Sequence, residues 1–325
     1  MIGRVGVITD TGRKRRRNED AYVCEPPLFA IADGMGGAQA GEVASRLAAA
    51  ALKESRAQAG GEQRIADLIQ EANRRVYDRS NSDPKTSGMG TTITVALVED
   101  GSVAFGHVGD SRAYLIRDGR MEQVTEDHSL VNELMKSGKL SREEAEMHPQ
   151  RSVITRALGT DPDVDVDTFT IAAEAGDVFL LCSDGLTDMV DEHAILELVQ
   201  QHRDDMNAAL KALVKAANRG GGEDNITVVA FEIRDVAVHD GHTKEQALPP
   251  ELESRRSVEE EDTLDETDAV PAVDTMVIST AEIQQHVEAE ERGKRQHRRR
   301  RVLAWLALLL LVVIAAAVVA WRLLH

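Results

Sequence analysis

Residues 1–234 alternate between short apolar runs and longer amphipathic segments, with turn residues between them. The short runs are typical of β-strands, whereas the longer segments are rich in alanine and repeat their apolar positions with a helical period. Strands are predicted at Leu28–Ala32, Thr91–Val98, Val103–Val108, Ala113–Arg117, Val178–Cys182 and Ile226–Ile233. Helices are predicted at Glu42–Gln58, Arg64–Arg79, Leu130–Lys136, Arg142–Met147, Glu192–Gln201 and Met206–Asn218.

The spacing between neighbouring strands favours one class of fold. Several predicted strands are separated by only a few turn residues, as at Glu99–Ser102 and from Gly109 to Arg112. Such spacing allows antiparallel hairpins, but it leaves no room for the crossover of a parallel βαβ unit. The pattern therefore predicts an α+β domain over residues 1–234 rather than a Rossmann-like one.

The pattern changes after Ile233. Residues 235–291 hold few aromatic or clustered apolar positions, and residues 251–268 carry nine Asp or Glu against two Arg. A segment of this composition cannot bury enough apolar surface to offset the entropy lost on ordering. We therefore interpret residues 235–301 as an acidic linker that ends in a basic cluster, Arg292–Arg301.

An uncharged apolar segment follows the basic cluster directly. The nineteen residues from Val302 to Ala320 carry no charge, which is close to the roughly 20 residues that a helix needs to cross a bilayer. Trp305 and Trp321 stand where interfacial anchors are common. Residues 302–321 are therefore predicted to be a transmembrane helix, and the positive charge before it predicts a single-pass cell-membrane protein whose catalytic domain faces the cytoplasm.

Charge and cysteine content exclude some classes of function. The formal net charge of −18 argues against a general nucleic-acid binder and suits a protein that binds cations. The basic cluster before the apolar segment is better placed to contact anionic lipid headgroups than nucleic acid. Cys24 and Cys182 lie in or beside apolar runs, which predicts reduced thiols in a domain core rather than a disulfide.

Aspartates stand where several predicted strands end. Asp33, Asp110 and Asp184 each close an apolar run, Asp224 precedes one, and Asp20 precedes another, with glycine close to most of them. Carboxylates gathered at one rim of a sheet would repel each other unless cations lay between them. Oxygen-only clusters suit Mg²⁺ or Mn²⁺, and no His/Cys cluster has the spacing of a zinc site. Any single Asp-Gly pair could equally be a turn.

The order of these motifs resembles the bacterial form of the metal-dependent Ser/Thr protein phosphatases of type 2C. The resemblance covers residues 1–234 and rests on Thr9–Gly12 with Arg15–Asp20, Asp33–Gly37, Ser87–Thr92, Gly109–Arg112, Ser183–Leu186 and Glu223–Asn225. It implies a four-layer α/β/β/α sandwich of two antiparallel sheets flanked by helices, with metals at one end. It also implies hydrolysis of phosphoserine and phosphothreonine in proteins, in opposition to a Ser/Thr protein kinase.

The resemblance further implies a role for each matching residue. Asp20, Asp33, Asp184 and Asp224, with the Gly34 carbonyl, correspond to the ligands of a centre of two Mn²⁺ or Mg²⁺ ions. A water activated by such a centre attacks the phosphate, so no protein nucleophile is needed.

Two further positions complete the implied site. Asp110 corresponds to the family residue that, with Asp184, can hold a third and weaker metal, and Arg15 to the arginine that contacts the substrate phosphate. Relatives outside bacteria often have histidine where this chain has Met35. His107 and His128 are candidate replacements as general acid, although a structural role is the commoner one for such residues.

Residues 129–160 resemble the flap beside the active site of bacterial members, and a plain surface excursion is the alternative interpretation. Other phosphatase chemistries fail on spacing. Neither cysteine has an arginine six residues later, Asp163–Thr168 lacks the pattern of an aspartyl-phosphate enzyme and fits an alternating strand, and no P-loop is present. Two alternatives stay open: a membrane-tethered pseudophosphatase that binds phosphoproteins without turnover, and a phosphatase for a small molecule or a single regulator.

Overall fold

The computed structural model describes residues 2–36, 40–54, 60–235 and 276–277. The strands are β1 Ile2–Asp10, β2 Asp20–Glu25, β3 Leu28–Met35, β4 Gly90–Thr91, β5 Ile93–Glu99, β6 Ser102–Val108, β7 Arg112–Arg117, β8 Arg120–Gln123, β9 Val153–Ile154, β10 Asp167–Ala172, β11 Val178–Cys182, β12 Ile226–Ile233 and β13 Met276–Val277. The helices are α1 Ala40–Glu54, α2 Gly61–Ser82, α3 Leu130–Lys136, α4 Arg142–Glu146, α5 Asp184–Thr187, α6 Glu192–Gln201 and α7 Met206–Arg219.

Two antiparallel sheets form the centre of the fold. One has the strand order β1-β12-β11-β7-β8, and the other has the order β10-β6-β5-β3-β2 with β4 paired to β3. Apolar side chains from both sheets fill the space between them. Phe29 of one sheet stacks on Phe231 of the other with ring centroids 4.1 Å apart. The sheets are therefore packed face to face, as the resemblance implied.

Helices cover the outer face of each sheet. α1 and α2 pack on the sheet that contains β3 and β5, through buried residues such as Ala44, Ala48 and Ile65. α6 and α7 pack on the sheet that contains β11 and β12, where Leu210 and Leu213 are buried. The described part of the chain is thus an α+β fold with two antiparallel sheets flanked by helices.

Most elements predicted from the apolar pattern are confirmed. β11, β12, α3 and α6 have the predicted bounds, and α2 is longer by a few residues at each end. α1 begins two residues earlier than predicted, and the predicted end of that helix, residues 55–59, lies outside the described residues. The predicted strand Thr91–Val98 is divided at Thr92, because the backbone N–H of Thr92 donates to the Asp33 carbonyl at 2.8 Å.

Two expectations about connections and strands need correction. The turn at Glu99–Ser102 does close an antiparallel hairpin, but the chain from Gly109 to Arg112 passes from one sheet to the other instead of forming a hairpin. The strand expected at Asp163–Thr168 begins at Asp167, the residue whose partner in β6 is His107. The crossing between sheets is what brings Asp110 to the end of the sandwich.

The predicted linker and membrane segment lie almost wholly outside the described residues. Only Asp235 and β13 are described there, and β13 pairs in parallel with β9, Met276 opposite Val153. Within residues 2–36, 40–54, 60–235 and 276–277, no helix has the length and apolar content needed to cross a bilayer. The predicted transmembrane helix 302–321 falls outside those ranges.

Candidate metal centre and phosphate site

The predicted aspartates come together at one end of the sandwich. Asp20 at the start of β2 is the register partner of Asp33 in β3. Asp184 follows β11, and Asp224 precedes the adjacent strand β12. Asp110 lies in the crossing between β6 and β7. Sequence positions separated by about two hundred residues therefore supply one rim.

Asp20 is held in place by hydroxyl groups from the opposite sheet. Its Oδ2 accepts a hydrogen bond from Ser183 Oγ at 3.0 Å and another from Thr227 Oγ1. Thr227 Oγ1 also contacts Thr9 Oγ1 at 2.7 Å, and Asn18 Nδ2 donates to that same Thr9 oxygen. These contacts use one carboxylate oxygen of Asp20 and leave Oδ1 pointing elsewhere.

Burial and mutual repulsion raise the pKa values of the clustered aspartates. Removal from water is the largest cause for each, and the charges of neighbouring aspartates add to it. The pKa values of Asp20 and Asp110 rise to about 7, and those of Asp33 and Asp184 rise well above the ordinary range. Repulsion on Asp33 comes from Asp20, Asp184, Asp224 and Asp110, which places all five carboxyl groups in one electrostatic cluster.

The cluster fits hard divalent cations. Asp20 Oδ1 and Asp184 Oδ1 are both buried without a hydrogen-bond partner, and a buried unpaired carboxylate oxygen is costly unless a cation or proton meets it. Every donor is oxygen, as Mg²⁺ and Mn²⁺ prefer. Among the described side chains, no three His, Cys, Asp or Glu groups close on one point as they stand. Mg²⁺ commonly keeps several waters in its shell and takes only a few carboxylates.

Arg15 lies against this cluster on a firmly anchored loop, residues 11–19. Its guanidinium donates to Asp224 Oδ2 at 2.7 Å. The buried side chain of Asn225 donates to the carbonyls of Thr11 and Arg17 at 3.0 and 2.8 Å, and accepts from the backbone N–H of Glu19 at 2.7 Å. Three hydrogen bonds from one side chain thus fix both ends of the loop.

The comparisons with known proteins agree on one family. The sequence model described as Protein phosphatase 2C matches residues 13–221. The chain is 42% identical over 236 residues to the Listeria innocua protein named serine/threonine phosphatase stp, covering 69% of this chain and 93% of that protein. The chain belongs to the protein phosphatase 2C family.

Solved structures of this phosphatase family share the fold. The crystal structure of the Mycobacterium tuberculosis serine/threonine phosphatase PstP/Ppp matches with a TM-score of 0.68 and 38% identity, covering 72% of this chain and 100% of that one. The catalytic domain of PstP in complex with two manganese ions matches with a TM-score of 0.66 and 37% identity, covering 72% of this chain and 99% of that one. The two-sheet architecture of the present phosphatase is therefore that of its family.

The phosphatase's two candidate general acids are both engaged elsewhere. His107 is fully buried, contacts Thr94 Oγ1 and the Glu126 carbonyl, and has its pKa lowered to about 4, first by burial and then by His128. His128 Nδ1 accepts from the Gly109 backbone N–H at 3.0 Å, and its Nε2 contacts Asp167 at 3.1 Å. These contacts support a structural role for both histidines.

Met35 links the strand of Asp33 to the predicted flap. It is buried in a small apolar cluster with Ile154 and Ala157, both of which belong to residues 129–160. The same segment returns to β4, where the backbone N–H of Leu158 donates to the Thr91 carbonyl at 2.9 Å. Residues 129–160, the predicted flap, therefore rest against the strand that carries Asp33 through Met35.

Two polar residues of the site had no role in the sequence prediction. Asp188 lies one helical turn beyond Asp184, and its pKa is raised, first by removal from water and then by Asp224 and Asp127, against the opposite effects of Arg151 and Arg112. The spacing of four residues after Asp184 is the signal that could have found it. Asn225 directly follows Asp224, and only the folded loop reveals its three hydrogen bonds.

Asn225→Asp is expected to loosen the Arg15 loop. The aspartate keeps an acceptor for Glu19 but cannot donate to Thr11 and Arg17, which leaves two carbonyls unpaired and costs about 1–3 kcal/mol of stability. We expect a roughly tenfold rise in KM for a phosphopeptide because Arg15 is displaced. Combining the change with Arg15→Ala in a double-mutant cycle is the control, since fully additive effects on KM would show that the loop does not act through Arg15.

Gly34→Ala is expected to disturb the packing of β3 against α1. A Cβ at Gly34 would clash with the backbone oxygen of Gly41 and would lie 2.6 Å from that of Glu19. Because backbone atoms cannot move aside cheaply, we expect a loss of about 2–3 kcal/mol in the free energy of unfolding. Chemical denaturation measures the loss. The matched control is Gly60→Ala, whose Cβ would meet its nearest neighbour, Glu99 Oε2, at 3.5 Å, and an equal loss in both variants would contradict the prediction.

Proposed function

We infer that this protein is a metal-dependent protein phosphatase that hydrolyses phosphoserine and phosphothreonine. The observation that carries the inference is the convergence of five aspartates at one end of the sandwich, with two buried carboxylate oxygens that lack a partner. The named relatives and the two-manganese complex of PstP support the same activity and cofactor. The substrates are therefore phosphoproteins, and the cofactors are Mn²⁺ or Mg²⁺.

We propose specific residues for the metal centre. Asp20, Asp33, Asp184 and Asp224 would hold two ions together with the Gly34 carbonyl, and Asp110 with Asp184 would hold a third. When bound, such ions supply Lewis-acid activation of water and neutralise phosphoryl charge. The free Oδ1 atoms of Asp20 and Asp184 support this assignment, because each has no other partner among the described residues.

The chain's own residues bind and orient the phosphate. Arg15, held next to Asp224, is proposed to contact the phosphoryl oxygens with its fork of N–H donors, where it stabilises the charge that develops on them. Ser183 and Thr227 fix the orientation of Asp20 through their hydroxyl groups. Cys182 is fully buried, and burial raises the pKa of its thiol, so it is a core thiol rather than a nucleophile.

The test is hydrolysis of a phosphothreonine peptide by the full chain with Mn²⁺, with Mg²⁺ and after chelation. We expect turnover with either metal and loss of turnover on chelation that added metal restores. The rival function is a pseudophosphatase that binds phosphoproteins without turnover. A folded, metal-loaded protein that binds the peptide in calorimetry but releases no phosphate would establish that rival.

We propose further that the phosphatase is anchored in the cell membrane by residues 302–321, with the catalytic domain in the cytoplasm, and that it opposes a Ser/Thr protein kinase. The uncharged segment after a basic cluster supports the anchor. Alkaline extraction of membranes tests it. The full chain should stay with the membrane pellet and a chain ending at residue 291 should be released, whereas equal release of both would overturn the anchor.

A further inference from the structure

The loop that carries Arg15 also presents four exposed cations, Arg13, Lys14, Arg16 and Arg17. Resting on the function proposed above, we propose that Lys14 and Arg16 form a specificity surface that selects phosphosites flanked by acidic residues. The surface is defined as these two side chains; Arg13 Nε donates to Asn218, and the Arg17 carbonyl accepts from Asn225, so both of those residues have other contacts.

The loop holds these cations in a fixed position. The backbone N–H groups of Arg13 and Lys14 both donate to the Gly222 carbonyl, at 2.7 and 3.1 Å. Asn225 anchors the loop from the inside through Thr11, Arg17 and Glu19. A charged group on an anchored loop loses less conformational freedom on binding than one on a mobile segment, so it discriminates better between ligands.

The two cations have no ion-pair partner within the part of the chain that the structure describes, whereas Arg15 between them contacts Asp224. A phosphate bound at Arg15 would therefore have an unsatisfied positive charge on each of the two neighbouring residues of the loop. Consecutive residues of an extended peptide are about 3.3–3.6 Å apart, so residues within two or three positions of the phosphosite lie within reach of a long cationic side chain. Acidic side chains at those positions complement the surface.

The net charge of the whole chain favours the opposite substrate preference from the Lys14/Arg16 surface. At −18, the general field of the protein repels acidic peptides and should make them the poorer substrates. A preference for acidic peptides then requires positive charge near the phosphate, and neutralising Lys14 and Arg16 separates their share from that of Arg15 and bound metal. Salt separates the two effects. Screening the local attraction lowers kcat/KM for the acidic peptide, whereas screening the general repulsion raises it.

The experiment compares two phosphothreonine peptides that differ only in flanking Asp/Glu against Asn/Gln, with the full metal-loaded chain. We expect the acidic peptide to have a kcat/KM about 3- to 10-fold higher at low salt, carried by KM and lost at 0.5 M NaCl, a size that fits two exposed ion pairs. The double variant Lys14→Gln/Arg16→Gln should lose this preference and keep its rate on the neutral peptide and on p-nitrophenyl phosphate.

The matched control removes two exposed cations outside the loop, Arg120→Gln and Lys211→Gln, and should keep the preference. Equal rates on both peptides with the native chain, or the same loss in the control as in the Lys14/Arg16 variant, would overturn the proposal while leaving the phosphatase function intact. Absence of turnover on every substrate, including p-nitrophenyl phosphate, would instead overturn the proposed function and the preference with it.

Discussion

Asp33→Asn is expected to reduce turnover by about 10³-fold and, at the same time, to stabilise the metal-free protein. Turnover falls because the change removes a central carboxylate of the proposed metal centre, and losing one preorganised electrostatic group typically costs 10²- to 10³-fold. Stability rises because Asp33, in a half-buried position, faces the charges of Asp20, Asp184, Asp224 and Asp110, which together with desolvation raise its pKa. A neutral amide of the same shape removes that repulsion, which we expect to add about 1–3 kcal/mol.

Both effects are measured on one preparation. Peptide hydrolysis with Mn²⁺ measures the turnover, and thermal denaturation in the presence of a chelator measures the stability of the metal-free protein. Asp163→Asn, at an exposed aspartate outside the cluster, is the control and should change neither quantity. A variant that loses activity and is also less stable without metal would point to a folding defect and contradict the electrostatic account.

The metal-free protein is expected to become less stable as the pH rises from about 5 to about 8. The pKa values of Asp20 and Asp110 are about 7 in the folded state, against 3.8 as their ordinary value. Between those values the folded protein binds more protons than the unfolded chain, so stability falls with rising pH and levels off above the folded pKa. We expect the Tm to fall by roughly 5–10 °C over this range.

Other groups act in the opposite sense or at lower pH. His107 is buried with a pKa lowered to about 4, so below about pH 6.5 the unfolded chain binds its proton more readily than the folded protein does. Taken by itself, His107 therefore makes the fold more stable as the pH rises to about 6.5. The aspartates with raised pKa values outnumber it. Asp167, whose pKa is lowered chiefly by its hydrogen bond to His128, changes the stability only below its ordinary value.

Divalent metal should reverse the pH trend. Ions bind the ionised carboxylates of the folded state, so their affinity and the stability they add both increase with pH. Thermal denaturation at pH 5, 6, 7 and 8, with chelator and with 1 mM Mn²⁺, therefore gives curves of opposite slope. Parallel curves would show that the metal does not bind to the titrating aspartates.

The sequence predicts this fold best where local pattern decides the structure. α3, α6, β11 and β12 have distinct apolar patterns and clear boundaries, and their bounds match. β1 was not predicted, because its burial does not alternate simply and its strand form depends on pairing with β12, more than 200 residues away. β8 is short and exposed, so no apolar run marks it. Pairing between distant segments cannot be deduced from a local pattern.

The residues of the site are likewise predictable where a local pattern marks them and not where a distant contact does. The aspartates at strand ends could be identified because each carboxylate stands next to an apolar run in the sequence. The fold then brings these aspartates together. The three hydrogen bonds of Asn225 depend on where the chain returns, so no local pattern could assign it that role, whereas the four-residue spacing after Asp184 could have identified Asp188. The passage of residues 109–112 between sheets was also missed, since a short turn is compatible with a hairpin and with a crossing.

β12 gives the domain a mechanical property. All eight of its residues are buried, it lies between β1 and β11, and the chain leaves it at Ile233, the end opposite Asp224. Tension on the chain beyond residue 235, opposed by a substrate bound at the Asp224 end, would act along β12, so its backbone hydrogen bonds on both sides would bear the load in shear together rather than open one after another. A domain held and pulled by its C-terminus would therefore keep Asp224 and Asn225 in register until the whole strand slid.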